Sequence, residues 1–395
     1  MPKRKIAFFT GNRAEYGLQL PIIRAVDAHP DLEFYLLVSG AHLQEDFGYT
    51  VKEIEATGFK VYREVKLTME RDDLFGTAQA IGSGILNLSR ILDALRPDFL
   101  VVYADRFEGF AAVVTGTQMG IPTAHVEGGD ITEGGALDDM VRHAMTKLAH
   151  LHFTTNEEAS QRIKKMGEEP WRVHTVGFPA IDLLWDHNFA KTDELKEKYR
   201  LDLDAPLVVY TQHSIATEFG QAGKQIEPAL DALLKLAGEG VQVIMTFPNN
   251  DAGSTSIIEK LKGIDLSHRK NIQVHASLGR YNYHGLLAAC GNGGRGVCVG
   301  NSSSGIKETP AFGCPTVNIG DRQKGRLRAN NVIDAGYDAQ EIYQAVRKCI
   351  DDADFRAQCR NCLNPYGTGD AGKKIAHILA TVPIDLKLLQ KKMTY

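Results

Sequence analysis

GVCVGNSSSGIKE, residues 296–308, joins a short apolar run to three serines set between glycines, and then to a helix-forming stretch. An apolar run of this length reads as a strand buried on both faces, and the small polar residues mark where it ends. At a strand's carboxyl end, where a helix begins, backbone N–H groups and hydroxyls favour an anion such as phosphate, and glycine lets a ligand come close to the main chain. A serine there can also be a simple helix cap. Three in succession beside Gly305 favour phosphate, with Ser302, Ser303 and Ser304 as donors. The stretch has neither the Lys-Ser/Thr ending of a P-loop nor G-x-G-x-x-G spacing.

The same alternation continues in both directions. PLVVYTQH (206–213), VQVIMTFP (241–248), NIQVHAS (271–277) and PTVNIG (315–320) are further apolar runs, interleaved with helical patterns. KIAFFT (5–10), FYLLVSG (34–40), FLVVYAD (99–105) and PTAHVEGG (122–129) form an earlier set, and YGLQLPIIRAVDAH carries Leu18, Ile22, Ile23 and Val26 at helical spacing. This is the signature of βαβ units in parallel sheets. It predicts an α/β protein of two Rossmann-like doubly wound domains, residues 1–180 and 181–368, with a helix in 369–395 that packs back on the first. Ligands of such sheets bind outside the carboxyl ends of the strands, so a cleft between two facing halves is the expected site. WDHNFAKTDELKEKYRLDLDAP, between the halves, reads as a hinge region or as a solvated helix.

At 395 residues the chain is long for one hydrophobic core, which also favours two domains. Apolar residues at 43% and charged residues at 24% are ordinary for a soluble globular protein, and a net charge of -4 argues against nucleic acid as a partner. No apolar run reaches the roughly 18 residues that span a bilayer. MPKRKIAFFTGNRAEYG lacks the apolar length of a signal peptide and reads as a first strand. Cys290, Cys298, Cys314, Cys349, Cys359 and Cys362 show no framework spacing, which fits a reducing cytoplasm. Cys359 and Cys362 form a CxxC with no second ligand pair, so no metal site is expected and the two are read as helix-surface thiols.

IGDRQKGRLR (319–328) brings Arg322, Lys324, Arg326 and Arg328 to the sheet edge that carries the serines, and Arg13 follows the first strand of the other half. Arginine suits bidentate phosphate contacts, so a pyrophosphate would draw on both clusters. Glu308 is placed to accept from ribose hydroxyls, or is a solvated helix carboxylate. In the first half Asp105 and Glu127 end strands, and Asp138 and Asp139 begin the helix LDDMVRHAMTKLAH. Spacing of four aligns Asp138 with Arg142 and Asp139 with His143. Asp139 reads as a cap; strand-end carboxylates in a cluster have the makings of an acid and a base. His213, ending YTQH, is a hydrogen-bond donor to a phosphate, a proton carrier or a buried structural histidine.

Taken together, TGNRAEYG (10–17), SGAHL (39–43), ADRFE (104–108), HVEGGDITEGGALDDMVRHAMTKLAHLH (125–152), TQH (211–213), FPNNDAGS (247–254), GNSSSGIKE (300–308) and GDRQKGR (320–326) resemble the hydrolysing UDP-N-acetylglucosamine 2-epimerases of sialic-acid and related nonulosonate pathways. The resemblance covers nearly the whole chain. It implies a glycosyltransferase-B-like pair of domains, a UDP-sugar in the cleft, no metal or other cofactor, and a homodimer or homotetramer. It implies, too, that removal of the sugar C2 proton and anti elimination of UDP give a 2-acetamidoglucal, which water converts to N-acetylmannosamine. Asp105, Glu127 and Asp138 match the family's carboxylates at the chemistry, with Glu127 and Asp138 both eligible as the base. Nucleotide contacts carry over to Arg13, His213, Ser302, Ser303, Glu308 and Arg322, and then to Arg106, Arg142, His143 and Arg326. Non-hydrolysing relatives have a DTT-type motif where this chain has Asp105-Arg106-Phe107, and an acidic-Ser-Gly-Gly loop where it has Asn301-Ser302-Ser303-Ser304, which favours hydrolysis. UDP-N,N'-diacetylbacillosamine is the alternative substrate, and a retaining UDP-sugar glycosyltransferase or a non-catalytic sugar-nucleotide sensor the alternative class.

Overall fold

The computed structural model describes residues 2–11, 13–43, 51–70, 74–131, 136–185, 188–202, 204–248 and 253–395. Two compact units emerge: Met1–Asp130 with Leu137–Leu183 and Tyr366–Tyr395, and Ile131–Ala136 with Leu184–Pro365. Each is a parallel sheet between helices, so the expected fold class, a pair of doubly wound α/β units, is what the chain adopts. No helix among the described residues is long and apolar enough to cross a membrane.

The first sheet contains β1 (Arg4–Thr10), β2 (Leu32–Ser39), β3 (Val61–Val65), β4 (Phe99–Tyr103), β5 (Thr123–Val126), β6 (Leu151–Thr154) and β7 (Val173–Thr175), in the order β3-β2-β1-β4-β5-β6-β7. β4 is buried along its whole length and β1 over its last five residues, as expected for strands covered on both faces. The second sheet contains β8 (Leu207–Thr211), β9 (Gln242–Thr246), β10 (Ile272–His275), β11 (Gly296–Gly300), β12 (Thr316–Ile319) and β13 (Val332–Ala335), in the order β10-β9-β8-β11-β12-β13. β3, β6, β7 and β13 have no counterpart among the expected strands. VYREV and VIDA carry charges, LHFT a histidine, and VHT is three residues long, so none stands out as an apolar run.

Strand order reverses between β1 and β4 in one sheet and between β8 and β11 in the other. Loops leaving such a pair diverge to opposite faces and open a crevice at the carboxyl edge. The loops that begin at Gly11, Ala104, Gln212 and Asn301 all lie at these switch points.

The helix Thr192–Tyr199 falls in the stretch read as a hinge, and its Leu195 and Tyr199 pack with Leu286 and Leu287 in the second unit's core. Cys359, expected at a helix surface, is buried with Cys349 and Phe355, because the helix Ala353–Arg360 turns that face inward. Cys362 beyond it is half-buried.

From Tyr366 the chain belongs to the first unit. The helix Ala371–Thr381 lies against the helix Arg13–Asp27, so close that a Cβ on Gly372 would sit 2.6 Å from the Pro21 carbonyl oxygen. Asp182 accepts the Ala371 and Gly372 amides at 3.1 and 2.7 Å, and Arg4 donates to the Leu379 and Val382 carbonyls at 2.7 and 2.8 Å. Fully buried Arg172 donates to the Leu388 and Lys387 carbonyls at 2.7 and 2.6 Å and to Glu169 at 2.7 Å. Arg172→Met keeps the stem and strands these acceptors, so it should cost about 3 kcal/mol. A thermal melt followed by tryptophan fluorescence checks it; an unchanged midpoint contradicts the assignment.

Candidate functional site

At the carboxyl edge of the first sheet the backbone turns sharply twice. Ala104 follows β4 with φ +53° and Glu127 follows β5 with φ +64°. Left-handed backbone at non-glycine residues costs on the order of 1–3 kcal/mol each and persists only where the surroundings enforce it. Here the ladder does so: the Ala104 N–H donates to the Val126 carbonyl and the Glu127 N–H to the Phe153 carbonyl, each at 2.9 Å.

The helix Ala136–Leu148 carries Arg142 to this edge, where it is only 3% exposed. Its Nη2 donates to the Asp105 carboxylate, and its Nη1 donates to Asp139 Oδ1 and to the Asp130 carbonyl, both at 2.8 Å. Burial alone would lower the Arg142 pKa, but Asp105, Asp130, Glu127 and Asp139 outweigh it and raise it, so the guanidinium stays charged. Asp130 in turn accepts from the Thr155 hydroxyl at 3.1 Å and the Asn156 amide at 3.3 Å. Tyr103, wholly buried, has its pKa raised well above the ordinary phenol value, by burial first and then by the Glu127 carboxylate. Arg142 thus pairs with Asp139 at a spacing of three, where the sequence pattern aligned Arg142 with Asp138 and Asp139 with His143. Asp138 lies in the first turn of this helix and Arg13 begins the helix Arg13–Asp27; their side chains lie outside the described residues. His143 is half-buried, and burial lowers its pKa against the pull of Asp139.

A further acidic group lies behind. Glu15 is buried and accepts the Gly11 amide at 2.7 Å. Glu108, also buried, packs on Gly11, where a Cβ would sit 2.9 Å from its own Cβ, and exposed Arg106 places Nε 3.4 Å from its Oε2.

In the second unit the loops after β8 and β11 are tied to each other. The His213 N–H donates to Asn301 Oδ1 at 2.7 Å, and Asn301 Nδ2 returns a bond to the His213 carbonyl at 2.9 Å. Arg322 and Gln323 both donate to the Asn301 carbonyl, at 3.0 and 2.9 Å. Burial, and then Arg322, push the His213 pKa down to about 3, so its ring is neutral at physiological pH. Ser304 shares its hydroxyl with Tyr283 at 2.6 Å and Ser302 at 3.0 Å. Ser302 and Ser303 are half-buried, and Ser303 makes no side-chain cap bond. The helix at the serines is a single turn, Ser304–Lys307, so an anion there would rely on local N–H and hydroxyl donors rather than on a long helix dipole. Glu308 is bonded to His284 Nε2 at 2.8 Å. Arg326 is half-buried, Lys324 is exposed, and Arg328 pairs with Asp334.

Sequence reasoning did not single out Glu15, Glu108, Asp130, Gln323, Tyr283 or His284, and it named Asn301 only within its serine motif. Glu15, Glu108 and Asp130 lie inside quoted motifs, one to three residues from selected ones, and reading each loop as a whole would have found them. Tyr283 and His284 come from the helix Gly279–Cys290, where no local signal sets them apart. Among the described residues no group of three His, Cys, Asp or Glu could hold a metal ion.

The buried Glu15 generates a pH test. Burial pushes its pKa up from 4.5 to about 8, with Glu108 and Asp105 adding to the rise and the Gly11 amide and Arg106 opposing it. Between these values the native state keeps a proton that the unfolded chain has lost. The stability this proton confers is therefore full below about 4.5 and disappears as pH climbs through about 8. Glu15→Gln keeps an acceptor for Gly11 and cannot titrate. Relative to that variant, the parent protein should lose stability steadily across this window in denaturant titrations; a constant difference would show that Glu15 titrates normally.

The family model described as UDP-N-acetylglucosamine 2-epimerase matches residues 24–380. The UDP-N,N'-diacetylbacillosamine 2-epimerase (hydrolyzing) of Legionella pneumophila is 30% identical over 392 residues, which is 99% of this chain and 100% of that protein. The GDP/UDP-N,N'-diacetylbacillosamine 2-epimerase (hydrolyzing) of Campylobacter jejuni is 32% identical over 348 residues, 88% of each chain. The crystal structure of the UDP-GlcNAc 2-epimerase of Neisseria meningitidis bound to UDP-GlcNAc aligns with a TM-score of 0.79 at 18% identity, over 95% of this chain and 99% of that one, a likeness of fold. With a match that long and relatives that align along most or all of their length, the chain belongs to the UDP-N-acetylglucosamine 2-epimerase family.

Proposed function

We propose that this chain is a hydrolysing 2-epimerase, which releases UDP from a UDP-2-acetamido sugar and returns the free sugar inverted at C2. The observation that carries the reading is the carboxylate set around buried Arg142, which in this reading meets the sugar's C1 and C2. One carboxylate takes the C2 proton while the C1–O bond to UDP breaks on the opposite face, leaving a C1=C2 glycal and UDP. Water then adds its oxygen to C1, and a proton returns to C2 from the other face. Asp105 has one oxygen engaged by Arg142, and Glu127 and Asp138 are both eligible as the base. A positioned base contributes typically 10²–10⁴-fold.

The second unit supplies groups suited to the leaving nucleotide. Ser302, Ser303 and Arg322 fit a diphosphate, and Glu308, oriented by His284, fits ribose hydroxyls. Neutral His213 suits hydrogen bonding to a phosphate better than proton transport. UDP-GlcNAc is the substrate expected from the motifs. The two relatives described above are named for N,N'-diacetylbacillosamine, carried on UDP in one and on GDP or UDP in the other, and on that ground we favour this sugar and keep UDP-GlcNAc as the second reading.

Incubation with each UDP-sugar in the absence of any acceptor tests the reading: one of them should yield UDP and an equal amount of free 2-epimeric sugar. Release only when an acceptor is added would indicate a glycosyltransferase. Glu127→Gln and Asp138→Asn should each lower turnover by roughly 10²-fold or more while UDP still binds, and near-parent rates in both would remove the acid/base assignment. Arg322→Ala should weaken UDP binding by about 10–100-fold, the worth of a charged hydrogen bond. Unchanged affinity by calorimetry would place the diphosphate elsewhere.

A further inference from the structure

His125 is the third residue of β5, two before Glu127, and is wholly buried. Its Nε2 lies 2.7 Å from the Ala104 carbonyl oxygen and its Nδ1 lies 3.1 Å from Thr146 Oγ1. A carbonyl only accepts, so Nε2 carries the hydrogen. Burial pushes the pKa down to about 3 against the pull of that carbonyl, so the ring is neutral and Nδ1 accepts the Thr146 hydroxyl. The seat is tight: a Cβ on Gly128 would fall 2.8 Å from Nδ1 and 2.9 Å from Thr146 Oγ1. Each partner leads to the candidate site. The Ala104 carbonyl belongs to the peptide bond that begins Asp105, at a residue held in left-handed backbone. Thr146 stands one turn beyond Arg142 on the same helix face.

We infer that His125 is a positioning residue, which ties the turn presenting Asp105 and the helix presenting Arg142 to the strand presenting Glu127. It touches no substrate in this role; it acts by fixing where the carboxylates point. Only its consequence for turnover rests on the functional reading above.

The test uses His125→Phe, which fills the space without either bond, His125→Gln, whose side-chain amide can still donate to Ala104, and Thr146→Val. Two readouts are taken on the full chain: amide hydrogen exchange at Ala104 and Glu127 without substrate, and kcat and KM for UDP release. In His125→Phe the two amides should exchange at least about tenfold faster, and kcat should fall on the order of 10²-fold, the cost of a misplaced reacting group, with KM within about threefold. His125→Gln should recover most of that loss, and Thr146→Val should lower kcat by about tenfold at unchanged KM. Parent-like exchange and kcat in His125→Phe would overturn the inference, as would a Gln variant no better than Phe. If the Phe variant does not fold, an unaffected Thr146→Val overturns it. Should the parent protein release no UDP from any UDP-sugar, the functional reading fails, and amide exchange alone decides the role of His125.

Discussion

A guanidinium almost out of reach of water is the feature on which the first unit's carboxyl edge depends. Removing a full charge from solvent costs several kcal/mol unless close partners replace the lost hydration. Arg142 meets this requirement with the Asp105 and Asp139 carboxylates and the Asp130 carbonyl, and the planar fork of arginine lets it serve all three. The partners come from the turn after β4, the loop after β5 and the start of the helix Ala136–Leu148. Each must be in place for the cation to be tolerated, so one buried charge fixes the register of three segments. Acidic groups that water would otherwise keep apart are held together by the same means.

The sheet makes this arrangement possible. Parallel strands buried on both faces are stiff, and their ladder continues past the strand ends through the amides of Ala104 and Glu127. Left-handed backbone at two non-glycine residues is costly in isolation, but a rigid frame sustains it at Ala104, just before Asp105, and at Glu127. In the second unit a softer device does a comparable job, with Asn301 joining two loops and Arg322 and Gln323 gripping its carbonyl.

Much of this was legible in the sequence because parallel sheets write themselves as apolar runs. GVCV, FLVVY and LVVY could be placed directly, and the polar residues after each run marked the loops at the switch points. VYREV and VHT were not legible, since edge or short strands need not be apolar. Motif spacing did not show that Asp139 also pairs with Arg142, because a helix neighbour can lie three residues away as well as four. The three serines drew attention as a set, whereas the fold gives Ser304 to Tyr283, a residue from a distant helix. Buried carboxylates such as Glu15 and Glu108 stood inside motifs that were read yet drew no attention for a related reason: in sequence a glutamate on a helix looks solvated, and packing shows that it is not.

Proton NMR of the sugar released in D2O tests the central claim most directly, because it reports on the C2–H bond itself. Elimination by the carboxylate set followed by hydration predicts one deuterium at C2 of every released molecule, with inverted configuration at that carbon. A product that keeps its original hydrogen at C2 would contradict it.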